Sequence, residues 1–156
     1  ILETGGWTVG VVGLTGTAVD PPPAFSVSDP ITAISTLLPE LSERVDAIVV
    51  LSHLGWTQNK GLADLAPEID LVIGGGAGTP EQELYRSDSS GAYLAQAEHP
   101  TPGHAGRQVG RWDVERGAGD QVVVQGWTTI LLGPEFADEP ILVELVQRYR
   151  DQAYTK

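Results

Sequence analysis

The chain has 156 residues, of which 41% are hydrophobic and 19% are charged, as in an ordinary globular domain with a core of its own. Its 21 acidic and 9 basic residues give a formal net charge of −12, which argues against binding nucleic acid or an anionic membrane through a basic surface. Cysteine is absent, which excludes disulfides and thiolate metal ligands, and no apolar run approaches the roughly 20 residues that cross a bilayer.

The first half of the chain predicts strands that alternate with helices. Short apolar segments rich in β-branched residues predict three buried strands, at residues 7–14, 46–52 and 69–73. Short connections of helical character separate them. Strands and helices in this order predict parallel pairing through right-handed crossovers.

Two helices are predicted between these strands. Ser28 or Asp29 can cap the first, which opens with Pro30. Pro39 is expected to kink or shorten this helix, because proline lacks the backbone N–H of a helix interior. Residues 59–67 predict the second, shorter helix.

The second half has a different pattern. Three short segments separated by turn residues predict an antiparallel meander, at residues 92–97, 108–114 and 121–127. Asp138 is predicted to cap a final helix. Its apolar residues fall at helical spacing, at Ile141, Leu142, Leu145, Val146 and Tyr149.

Two segments carry a resemblance to a known family. Residues 48–55 read Ile-Val-Val-Leu-Ser-His-Leu-Gly, and residues 69–79 read Ile-Asp-Leu-Val-Ile-Gly-Gly-Gly-Ala-Gly-Thr. They resemble the C-terminal half of the metal-dependent domain of bacterial 5'-nucleotidases, which are calcineurin-like metallophosphoesterases. In that family the second segment ends in Gly-Gly-His-Ser-His-Thr, so Gly76 and Gly78 stand where two metal-binding histidines belong.

The resemblance implies a fold and a domain organisation. Residues 9–14, 106–112 and 138–140 match further family segments in the right order. The implied fold is α/β: part of a four-layer α/β/β/α metallophosphoesterase sandwich, with a parallel βαβ unit followed by antiparallel strands and a C-terminal helix. Residues 1–156 then form a single domain or half-domain. The family's Asp-x-His and Gly-Asn-His-Asp/Glu motifs do not occur, so we expect the chain to begin after them.

The resemblance also identifies a candidate metal ligand, His53, at the end of the second predicted strand. The alternative is a capping or hydrogen-bonded histidine. Gly76 and Gly78 have no side chains to coordinate an ion, and a single histidine cannot hold two cations. We therefore expect no cofactor for the chain alone, and divalent metal ions if another segment completes the site.

The glycine-rich turn offers a second candidate site. Gly74, Gly75 and Gly76 follow a strand directly and could form an anion-binding nest of backbone N–H groups, although a plain flexible turn is the alternative. His99 and His104 flank a Pro-Thr-Pro-Gly turn and are predicted to be surface loop residues.

Three functional hypotheses remain open. The first is a catalytically degenerate 5'-nucleotidase-like domain that serves as a structural or interaction subunit. The second is a fragment of an active metal-dependent phosphoesterase whose other ligands come from a missing N-terminal part or another chain. The third is a small-ligand binding module that uses the glycine-rich turn.

A partner is expected in the first two cases. By resemblance the chain supplies mostly one sheet of the sandwich, so another protein chain or an N-terminal half should pack on it. Nucleic acid and membrane insertion are not expected. The family likeness suggests a periplasmic or extracellular location.

Overall fold

The computed structural model describes residues 1–16, 24–76, 84–96 and 108–154. Within these segments lie a six-stranded sheet and a two-stranded ribbon. The large sheet contains β1 (Leu2–Thr4), β2 (Trp7–Thr15), β3 (Ala47–His53), β4 (Leu71–Gly74), β5 (Tyr85–Arg86) and β6 (Tyr93–Gln96). The ribbon contains β7 (Gln108–Arg116) and β8 (Val122–Leu131), linked by a 3₁₀ turn at Ala118–Asp120. The helices are α1 (Pro30–Ser42), α2 (Trp56–Leu65) and α3 (Pro140–Tyr154).

The large sheet has the order β1-β2-β3-β4-β6-β5. Its four central strands β2, β3, β4 and β6 are parallel, and the short edge strands β1 and β5 are antiparallel to their neighbours. The α/β fold class with a parallel βαβ unit is therefore confirmed. Strand β1 was not anticipated from the sequence. It joins β2 through Gly5 and Gly6 with φ angles of 58° and 79°, as a tight hairpin requires.

The hydrophobic core lies between the large sheet and the helices α1 and α2. Its buried members include Ile34, Leu38, Ile48, Val50, Leu62, Val72 and Leu94. Trp56 also lies in this core at 3% exposure. Gly10 permits close approach of α1, since a Cβ there would lie 3.0 Å from Leu41.

Both predicted helices differ in detail from the structure. Asp29, rather than Ser28, caps α1 by accepting a 2.8 Å hydrogen bond from the Thr32 N–H. The helix is not shortened at Pro39, because this residue lies on the exposed side where the carbonyl that lacks a partner can face water. Helix α2 begins three residues before the predicted start, at the buried Trp56 that follows Gly55.

The predicted meander is wrong for its first strand. β6 pairs in parallel with β4 and belongs to the large sheet, and its antiparallel neighbour is the two-residue β5. Burial explains the difference, because Leu94 and Ala95 are both fully covered and a central strand is buried on both faces. The other two predicted strands do pair antiparallel, as β7 and β8, and both are longer than expected.

The last helix begins at Pro140. Glu139 therefore precedes the first turn, and its carbonyl accepts the Val143 N–H at 3.0 Å, which corrects the assignment of Asp138 as the cap. None of the helices in the described segments is long and apolar enough to span a bilayer.

Candidate functional site

The four parallel strands end at the same side of the sheet. In register, Thr15 of β2 lies beside His53 of β3, Ser52 lies beside Gly74 of β4, and Gly74 lies beside Gln96 of β6. We call these strand ends and the turns that follow them the carboxyl edge. Ligands of open α/β sheets bind at such edges, and both sequence-predicted sites lie here.

His53 occupies the position that the sequence predicts, at the end of β3. Its side chain is exposed on the face of the sheet opposite the helices, whereas the neighbouring Ser52 is buried beneath them. Successive strand residues point to opposite faces, so the two cannot act as a dyad. The role of His53 as a metal ligand stays a prediction.

The glycine turn after β4 is hydrogen-bonded to the turn after β3. The Gly75 N–H donates to the Ser52 carbonyl at 2.7 Å, and the Gly55 N–H donates to the Gly75 carbonyl at 2.8 Å. The Gly75 amide is thus engaged within the protein rather than available to an anion. The anion-binding role of Gly74, Gly75 and Gly76 otherwise stays a prediction.

Gly76 cannot carry a side chain in this backbone. Its φ is +88°, and an added Cβ would lie 2.8 Å from the Gly55 nitrogen and 3.0 Å from the His53 carbonyl oxygen. These neighbours are backbone atoms, which cannot rotate away. A histidine side chain at this position would therefore clash with the turn after β3. Gly78, His99 and His104 lie outside the described residues.

A buried polar network lies between the carboxyl edge and helix α2. The Ser52 hydroxyl donates to Asn59 Oδ1 at 2.5 Å, and Asn59 Nδ2 donates to Gln96 Oε1 at 3.4 Å. All three residues are buried, Asn59 completely. A Cβ at Gly74 would lie 2.8 Å from Asn59 Nδ2, so the network requires glycine there.

Asn59 and Gln96 were not identified from the sequence. Each amide lies on the same face of its element as a buried apolar residue, Asn59 with Leu62 on α2 and Gln96 with Leu94 on β6. This spacing is the sequence feature that could have identified them. Neither amides nor a serine hydroxyl ionise near neutral pH. The network therefore holds the turns in place and offers no general base.

The carboxylates of the sheet lie elsewhere, at its amino end. Asp46 accepts the Thr8 N–H at 2.6 Å, and Asp70 accepts the Ile48 N–H at 2.8 Å. Each residue precedes a strand and binds the backbone of the strand beside it. The hydrogen bond from Thr8 lowers the pKa of Asp46, whereas burial raises the pKa of Asp70. Asp70 is half-buried, so its carboxylate is partly shielded from solvent.

The Asp64 carboxylate also has a structural role. This residue lies in α2, and its carboxylate accepts a 2.5 Å hydrogen bond from the Tyr85 hydroxyl, which lowers the pKa of Asp64. The Ser89 hydroxyl donates to the Asp64 carbonyl at 2.8 Å, so the cluster attaches the turn before β6 to the helix.

The described donor groups do not fit a dinuclear metal centre. In the segments that the structure describes, no three side chains of the His, Asp and Glu types converge closely enough to hold one ion. A two-metal site needs several imidazoles and carboxylates from different strand ends. His53 has no such companions among the described residues.

Several solved structures have a fold similar to that of this chain. The 5'-nucleotidase precursor from Thermus thermophilus superposes on this chain with a TM-score of 0.72 at 25% sequence identity. The match covers 96% of this chain and 32% of the nucleotidase. The chain has a nucleotidase-like fold. It spans about a third of that nucleotidase, and no protein-family model and no curated protein matches its sequence.

Two further structures share the fold. The NAD nucleotidase of Haemophilus influenzae has a TM-score of 0.67 at 15% identity, over 84% of this chain and 30% of the other. A hypothetical protein from Thermus thermophilus has a TM-score of 0.59 at 20% identity, over 83% of this chain and 59% of the other. Their identities are low, so the likeness concerns the fold alone.

Proposed function

We propose that the chain is a catalytically degenerate 5'-nucleotidase-like domain that acts as a structural or interaction subunit of a larger assembly. The observation that carries this proposal is the carboxyl edge, where one exposed imidazole, that of His53, lies beside a closed glycine turn. A phosphoesterase of this fold would need a set of metal ligands at that edge.

The geometry of Gly76 strengthens the proposal. In an open turn, a histidine side chain could be accommodated at this position. Instead, the Gly55 nitrogen would lie 2.8 Å from a Cβ at this position. This backbone therefore favours glycine, which supports a turn that supplies no metal ligand at this position.

Exposed apolar side chains support the role in an assembly. On the helix-free face of the large sheet, Val11, Leu51 and Ile73 are 39%, 46% and 37% exposed. Helix α3 is exposed along its whole apolar stripe, with Ile141 at 73% and Tyr149 at 64%. Exposed apolar side chains grouped on one face of a sheet or helix are typical of an interaction surface. We infer that another chain, or another segment of the same protein, packs there.

Metal titration and a hydrolysis assay test the proposal. We expect the purified chain to bind no pair of Mn²⁺ or Zn²⁺ ions by calorimetry, and to release no phosphate from a 5'-nucleotide above a buffer control. The variant His53→Ala should behave identically in both measurements. Hydrolysis that requires divalent metal and is lost in His53→Ala would contradict the degenerate role.

The exposure of His53 favours one alternative function, an active metal-dependent hydrolase completed by another segment. In that case the chain alone has no hydrolase activity, and the assembly that contains the completing segment hydrolyses a 5'-nucleotide. The comparison to make is the assembly with and without His53→Ala. Loss of activity in the variant supports this alternative, and unchanged activity assigns the chemistry to other residues.

We place the assembly in the periplasm or outside the cell. The support is the description of the Thermus thermophilus relative as a precursor, together with its nucleotidase-like fold. Fractionation of the host cell with a tagged chain checks this assignment.

A further inference from the structure

We draw no further inference here: the strongest candidate, the amino terminus of α2 at the carboxyl edge, where Gly55 caps the helix without a side chain and is hydrogen-bonded to Gly75 of the glycine turn, carries nothing, because a helix amino terminus alone does not define an anion site and no second feature of the described residues points to a ligand there.

Discussion

At the scale of single residues, Gly76 and His53 carry the functional argument. A φ of +88° and the close Gly55 nitrogen make position 76 a glycine site, while His53 remains exposed at the end of β3. The sequence identified both residues through the resemblance. It did not reveal the positive φ of Gly76 or its contact with the turn after β3, because the packing of two turns depends on contacts distant in the chain.

Replacing Gly76 by histidine should destabilise the protein. The new side chain combines an unfavourable positive φ with a contact to backbone atoms, and we expect a loss of about 1–3 kcal/mol in the free energy of unfolding. Urea denaturation measures this loss. Gly61→His, where a Cβ meets nothing within 4 Å, is the control and should change stability little. A Gly76→His variant as stable as the parent would show that the turn can reopen.

The contributions of Asp70 and Asp46 to the free energy of unfolding should change in opposite directions as the pH rises. The folded pKa of Asp70 is raised, so its contribution is fully present below the unfolded pKa and is lost as the pH rises through the folded pKa. The folded pKa of Asp46 is lowered, so its contribution is present above the unfolded pKa and is lost as the pH falls through the folded pKa.

Asparagine variants measure these contributions. Asp70→Asn keeps an oxygen that accepts the Ile48 N–H, so it should gain stability relative to the parent as the pH rises from about 3 to about 7. Asp46→Asn should lose stability relative to the parent over the same range. Urea denaturation at several pH values gives both differences. Parallel pH profiles for the two variants would show that the burial of Asp70 has no electrostatic consequence.

At the scale of elements, the parallel core was predictable and the second half was less so. Runs of apolar β-branched residues identify β2, β3 and β4, because a strand buried on both faces needs them. The same pattern could not show that β6 joins this sheet, since pairing partners are set by tertiary packing. The polar network around Asn59 was missed for a related reason, as its members are far apart in sequence.

Arg116 attaches the ribbon to the large sheet. Its guanidinium lies 4.6 Å from the centre of the Trp7 ring, donates to the Gly6 carbonyl at 3.2 Å, and lies 3.5 Å from the Asp46 carboxylate. These contacts join the end of β7 to the β1–β2 hairpin. The planar guanidinium can stack and donate at the same time, which an ammonium group cannot do.

Arg116→Lys should therefore loosen this attachment even though it keeps the charge. We expect a loss of about 1–2 kcal/mol in the free energy of unfolding and a change in Trp7 fluorescence. Arg44→Lys, at an exposed ion pair with Glu40, is the control and should have a negligible effect. If both variants behave alike, the attachment does not depend on the guanidinium.

At the scale of the whole molecule, the exposed apolar surface is the main feature. It includes the helix-free face of the large sheet and the apolar stripe of α3. The resemblance led to the expectation of an uncovered face, and the structure locates the apolar residues. Neither the composition nor the periodicity could do so, because an amphipathic element has the same pattern whether its partner is inside the chain or outside it.

This surface should make the isolated chain associate. Static light scattering should give a mass above that of the 16.5 kDa monomer, and the dye ANS should fluoresce on binding. Co-expression with the natural partner should abolish both effects. A compact, soluble monomer that does not bind the dye would contradict the expected interface.

Anomalous X-ray scattering from crystals grown with Mn²⁺ tests the central claim most directly, because it locates bound ions and their ligands. We predict no pair of peaks about 3.5–4 Å apart beside His53. Two peaks at that separation, with ligands supplied entirely by this chain, would contradict the degenerate role.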